Sequence, residues 1–138
     1  MVFFEKSCYV VITGANRGYG KAIALAVLKK LKPGSHLTLH SRNGKFDWLD
    51  MSNLRADISV QQIDGDLQKD LQWETKCKPP KLAQFDEAIL FFNAGTCGDV
   101  TNTILQSTYD LEYLNRFFME NVCQFIPLTR SFINNLCK

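Results

Sequence analysis

Three glycines within eight residues, in Thr13-Gly14-Ala15-Asn16-Arg17-Gly18-Tyr19-Gly20, form the stretch of this chain best suited to chemistry. Their spacing suits an anion. A first glycine permits a sharp turn, a second lets the backbone approach a phosphate with no Cβ in the way, and a third lets a following helix pack closely on the preceding strand. Backbone N–H groups in such a turn, backed by the positive end of the helix dipole, hold a pyrophosphate. A P-loop is excluded, because five residues separate Gly14 from Gly20 and Ala22 follows Lys21 where a Ser or Thr is needed. On the glycines alone a purely structural turn competes with this reading, and a position between strand and helix counts against it.

The choice of dinucleotide is made about 20 residues further on, where a carboxylate would bind the ribose 2′-hydroxyl of NAD. This chain has His40-Ser41-Arg42-Asn43 there, with no acid. Arg42, and Arg17 within the turn, are placed to grip a 2′-phosphate, so NADP is the expected cofactor. One charge-assisted hydrogen bond contributes about 1.5–3 kcal/mol, a preference of roughly tenfold to a hundredfold. An ordinary solvated surface charge is the alternative for Arg42.

The elements that must position these residues follow from periodicity. Residues 8–13 are a β-branched run, and residues 21–31 carry Ile23, Val27, Leu28 and Leu31 on one helical face before Pro33-Gly34. Residues 36–41 read as a second strand, 46–56 as a weakly amphipathic helix, and 58–63 as a third strand. A poorer helix at 68–78 stops before Pro79-Pro80. Residues 88–92 are apolar throughout, as a strand covered on both faces requires. The last segment spaces Leu111, Leu114, Phe118, Val122, Phe125, Leu128, Phe132 and Leu136 as one long amphipathic helix, kinked by Pro127. Strands alternating with helices predict an α/β fold, a Rossmann-type doubly wound parallel sheet with order 3-2-1-4 in its first four strands. One domain over residues 1–138 is expected, since 46% apolar content supports a core at this length.

The glycine turn, together with Asn93-Ala94-Gly95, resembles the short-chain dehydrogenase/reductase family, whose T-G-x-x-x-G-x-G and N-A-G signatures these are. Residues 31–43 and 93–100, with Pro33-Gly34-Ser35 and Gly98-Asp99-Val100 the more specific parts, are similar to the family's pterin-reducing members, which act in tetrahydrobiopterin synthesis. The resemblance implies NADP contacts at Gly14, Ala15, Asn16, Arg17, Gly18, Tyr19 and Gly20, at Arg42 and Asn43 beside the 2′-phosphate, and at Asp66 and Leu67 beside the adenine. It places Asn93, Ala94 and Gly95 on the nicotinamide side. It also puts Asn121 where the family carries an Asn that holds a proton-relay water, although a solvated helix asparagine fits that position equally well. Phe92 departs from the pattern, since family members often have a second Asn there.

The family's proton donor is a Tyr with a Lys four residues later, beside a Ser that orients the carbonyl. Here the residues four beyond Tyr9, Tyr19, Tyr109 and Tyr113 are Thr13, Ile23, Tyr113 and Phe117, so no such pair exists. A whole family member is about twice as long. The expectation is therefore the cofactor-binding half of a carbonyl reductase, truncated after the fourth strand and the helix that follows. Its substrate would be a pterin or another small carbonyl compound, and it would be a homodimer when complete. The alternative is a non-catalytic module that binds NADP or dimerises.

Other constellations are bland. His36 and His40 lie roughly 13 Å apart along a strand, too far to share a metal, and Asp64 and Asp66 about Gly65 suit a turn. No metal site is expected. Five cysteines with no C-x-x-C read as reduced thiols. Sixteen Lys and Arg against 14 Asp and Glu leave +2, evenly scattered, so neither nucleic acid nor a membrane surface is an expected partner. No apolar stretch reaches a membrane span and no signal peptide is evident, which predicts a cytoplasmic protein.

Overall fold

Four strands, β1 (Cys8–Ile12), β2 (His36–Ser41), β3 (Ser59–Asp64) and β4 (Glu87–Phe91), form one parallel sheet of order β3-β2-β1-β4. The computed structural model describes residues 4–67, 69, 73–78, 85–96 and 110–136. Val10 at the centre of β1 is in register with Leu37 of β2 on one side and Ile89 of β4 on the other. Helices α1 (Gly18–Leu28), α2 (Trp73–Lys76), α3 (Leu111–Phe118) and α4 (Phe125–Leu136) complete the α/β architecture expected from the sequence.

Side chains of β1 alternate between two cores. Cys8, Val10 and Ile12 pack with Leu37 and Leu39 beneath Ala24 and Val27 of α1. Tyr9 and Val11 face the opposite way, against Trp73 of α2 and Leu128 and Phe132 of α4. The sheet is therefore covered by helices on both faces, which explains why all five residues of β1 are buried. Residues of β4 also alternate between the cores, Ile89 and Phe91 toward the first and Ala88 and Leu90 toward the second. All five are only half-buried, because β4 ends the sheet among the described residues.

Two expectations need correction. Residues 46–56 do not form a helix; only a 3₁₀ turn, Met51–Asn53, is present. Asp50 explains this: its carboxylate accepts from the Ser52 N–H at 2.9 Å and the Ser52 hydroxyl at 2.6 Å, a local alternative to helical bonding. The last helix is also interrupted earlier than Pro127. A π-helical turn, Met119–Cys123, separates α3 from α4, and the Gln124 N–H donates to the Met119 carbonyl at 3.0 Å. Pro127 is then the third residue of α4, in the first turn, where a missing N–H costs little. The expected helix at 68–78 is described over Trp73–Lys76, with residues 68, 70–72 and 79–84 outside the described part.

Candidate functional site

The glycine turn leaves β1 at its carboxyl end and enters α1. Gly14 has φ +66°, a left-handed conformation that disfavours any side chain, and an added Cβ would lie 2.9 Å from the Ala94 Cα. Gly20 is still more confined, since its Cβ would meet the Gly14 carbonyl oxygen at 2.2 Å and Asn93 Nδ2 at 2.4 Å. Helix α1 thus abuts the turn because residue 20 has no side chain. Gly18 faces open space.

The start of α1 is electrostatically unfilled. No side chain caps it, and its first turn holds no acidic residue. Among the described residues nothing accepts from the backbone N–H groups of Asn16, Arg17, Gly18 or Tyr19. Such an end attracts an anion through both its N–H groups and its dipole.

Thr13, the last β1-side residue before the glycines, is the hub that joins the turn to the Asn93-Ala94-Gly95 segment. Its fully buried hydroxyl oxygen accepts from the Asn93 N–H at 2.9 Å and the Ala94 N–H at 3.0 Å, and its hydroxyl donates to the Phe91 carbonyl at 3.2 Å. The Asn93 side chain donates from Nδ2 to the Gly14 carbonyl at 3.2 Å. Behind this segment stands the π-helical turn. Asn121 Oδ1 accepts from the Thr96 N–H at 3.0 Å and Asn121 Nδ2 donates to the Phe117 carbonyl at 2.9 Å. Gln124 Nε2 donates to the Ala94 carbonyl at 3.2 Å. Asn121 is half-buried and bonded at both ends of its amide, beside Gly95. The rings of Phe92 and Phe125 meet at a tilt of 47°, with centroids 4.7 Å apart.

On the other side of the turn, Arg42 and Arg17 are exposed, and neither forms an ion pair among the described residues. Asn43 closes the end of β2, accepting at Oδ1 from the Ser41 hydroxyl at 3.2 Å. Leu67 is buried beneath the loop that follows β3, and Asp66 stands beside it. That loop is fixed by His40, in a role its sequence position did not announce. His40 Nε2–H donates to the Gly65 carbonyl at 2.9 Å, and its ring stands edge-on to Trp73. His36 is engaged separately, 3.0 Å from Ser59 Oγ and 3.2 Å from Thr38 Oγ1. Burial holds both imidazoles below the usual histidine range. Among the described residues no group of three metal-ligating side chains occurs.

Burial, then the adjacent Glu87 carboxylate, pushes the Cys8 thiol up to about 11, away from nucleophilic chemistry. None of Cys8, Cys77 and Cys123 is in a disulfide, while Cys97 and Cys137 lie outside the described residues, as do Gly98-Asp99-Val100.

The bracing roles of Thr13, Gln124 and His40 were not read from the sequence, although Thr13 opens the glycine turn and Gln124 follows Asn121 by three residues and so shares its helix face. All the expected contacts from Gly14 to Gly20, at Arg42 and Asn43, and at Asn93 to Gly95 gather around the carboxyl ends of β1, β2 and β4, where open α/β sheets bind ligands.

No family model matches the chain. Over 135 residues it is 29% identical to the sepiapterin reductase of Rattus norvegicus, covering 90% of this chain and 50% of that protein. The chain thus spans about half the length of the curated relatives it matches. Its backbone superposes on a 3-oxoacyl-[acyl-carrier protein] reductase from Brucella melitensis in complex with NAD, with TM-score 0.66 and 20% identity over 95% of this chain and 49% of the other. It superposes equally on an NADPH-bound carbonyl reductase from chicken fatty liver, with TM-score 0.66 and 18% identity over 93% and 51%. The resemblance carried by the glycine turn and Asn93-Ala94-Gly95 is borne out: the homologues are oxidoreductases, and the fold is that of short-chain dehydrogenases.

Proposed function

We propose that residues 1–138 constitute the NADP-binding Rossmann-type portion of an NADPH-dependent carbonyl reductase, one whose substrate is a pterin side-chain ketone. The observation that carries this reading is the uncapped, acid-free start of α1 behind a glycine turn, with Arg17 and Arg42 uncommitted beside it. These residues fit a dinucleotide phosphate: Gly14 and Gly20 form a cradle that side chains would fill, and the β2 end itself, His40-Ser41-Arg42-Asn43, carries no acid to select a ribose 2′-hydroxyl. The relatives' identity as sepiapterin reductases supports the substrate class.

When bound, NADPH supplies the hydride. The chain's own residues bind and orient. Asn16 to Tyr19 offer N–H groups to the pyrophosphate, and Arg42 and Arg17 provide the charge that favours a 2′-phosphate over a hydroxyl. Asp66 and Leu67 border the adenine, and Asn93, Ala94 and Gly95, braced by Thr13, Gln124 and Asn121, border the nicotinamide. Proton donation needs a phenol with a lysine four residues beyond, and this chain has no such pair, so these 138 residues alone should show negligible turnover.

Calorimetric titration with NADPH and NADH tests the reading, with NADPH expected to bind more tightly and Arg42→Ala to remove roughly tenfold or more of that preference. Equal affinities in the unaltered chain, or robust oxidation of NADPH by sepiapterin on these residues alone, would overturn it. A second reading, a non-catalytic NADP-binding or dimerising module, is favoured by the apolar residues that α3 and α4 expose, Leu111 at 73% and Ile126 at 66% among them. Its signature is co-purification with an intact reductase subunit; the intact enzyme is expected to be a homodimer.

A further inference from the structure

A doubly wound fold ordinarily covers its sheet with a helix between successive strands, yet between β2 and β3 this chain has only the 3₁₀ turn Met51–Asn53. The segment does something else. Phe46 is buried in the first core, Trp48 and Leu49 pack against it, and the chain folds back toward the glycine turn. There the Trp48 indole Nε1–H donates to the Ala15 carbonyl at 3.1 Å, across 33 residues of sequence.

The consequence follows from peptide planarity. In a trans peptide the C=O of one residue and the N–H of the next point in opposite directions. The Gly14–Ala15 peptide is held at both ends, since the Ala15 N–H donates to the His40 carbonyl at 2.9 Å and the Gly14 carbonyl accepts from Asn93 Nδ2 at 3.2 Å. The Ala15–Asn16 peptide is held at one end only. Trp48 fixes its carbonyl, and among the described residues nothing accepts from its N–H. Holding the carbonyl toward Trp48 aims the Asn16 N–H the opposite way, as the first of the unengaged donors at the start of α1. Ala15 itself is fully buried, so water does not compete for the carbonyl.

We infer that Trp48 is a positioning residue for the anion site: its indole N–H orients the Ala15–Asn16 peptide so that the Asn16 N–H is presented to the cofactor pyrophosphate. This rests on the nucleotide-binding reading and adds to it a part played by the β2–β3 segment.

The test uses ¹⁵N-labelled chain carried on a solubilising fusion. Added NADPH should shift the Asn16 amide and the Trp48 indole N–H resonances while leaving the Trp73 indole in place. Trp48→Phe keeps an aromatic ring and removes the donor. It should shift the Asn16 amide without ligand and weaken NADPH binding by about threefold to tenfold, the usual worth of one hydrogen bond. Phe46→Leu loosens the same segment but keeps the donor, and should lower thermal stability with affinity unchanged. If the unaltered chain binds NADPH but Trp48→Phe binds it equally well, or the Trp48 indole resonance does not move while the amides from Gly14 to Gly20 do, the inference is wrong and the nucleotide reading stands. If the unaltered chain binds no NADPH, both fall.

Discussion

Replacing Thr13 by valine should cost the fold about 2–4 kcal/mol although it barely changes shape. The Thr13 oxygen accepts from two backbone N–H groups, those of Asn93 and Ala94, at 2.9 and 3.0 Å. Valine leaves both without an acceptor, and each orphaned donor costs about 1–3 kcal/mol. The Phe91 carbonyl does not add to this, because it keeps the Thr13 N–H at 3.1 Å. Asn93 and Ala94 are half-buried, so water relieves part of the penalty and the lower half of the summed range applies. Thr13→Ser keeps the oxygen and loses one methyl, about 1 kcal/mol. Urea unfolding followed by tryptophan fluorescence, at concentrations low enough to suppress association, compares the three proteins. A valine variant within about 0.5 kcal/mol of the unaltered chain, or a serine variant less stable than the valine one, would refute the hub assigned to Thr13.

Gly20→Ala forces a Cβ to within 2.2 Å of the Gly14 carbonyl oxygen; it should destabilise by about 3 kcal/mol or more, beyond ordinary overpacking because backbone must move, and a urea midpoint matching the unaltered chain would contradict it. The buried histidines His36 and His40 have folded pKa values below the unfolded value of about 6.5, so the unfolded chain takes up protons first as pH falls. Their contribution should be constant from that pH up to 7.5 and should decline below it by at most about 1.4 kcal/mol per pH unit for each histidine; a urea midpoint at pH 5.5 equal to that at 7.5 would sink this. The half-buried β4 at the sheet end, with Phe92, Leu111 and Ile126 exposed near the same helices, should make the isolated chain self-associate. Sedimentation showing a monodisperse monomer across concentrations would contradict that.

Much of this arrangement was legible in the residues. The run from Cys8 and the glycine spacing give β1 and the turn, because steric demands on backbone without a Cβ are local and leave a local signature. The apolar run around Ile89-Leu90-Phe91 gives β4, since burial from both faces suppresses alternation. Residues 46–56 misled because Phe46, Leu49 and Leu54 mimic helical spacing while Asp50 bonds Ser52 locally, and because Trp48 is claimed by a carbonyl 33 residues away. The partners of Thr13, Gln124 and His40 were likewise silent: each acts through a backbone group brought near by the fold, and periodicity carries no information about such partners. The π-helical turn before Pro127 belongs to the same class, set by where Asn121 and Gln124 find the Ala94 to Thr96 backbone.

The central claim is that this chain holds a dinucleotide with its pyrophosphate on the glycine turn and its 2′-phosphate at Arg42. Amide resonance mapping during NADPH titration tests it most directly. The account predicts backbone amide shifts confined to Gly14 through Gly20, Arg42 and Asn43, Asp66 and Leu67, and Asn93 through Gly95, besides the Trp48 indole, with the Arg42 and Asn43 shifts reduced when NADH replaces NADPH. Saturating NADPH that leaves the Gly14 to Gly20 amides unmoved would contradict it.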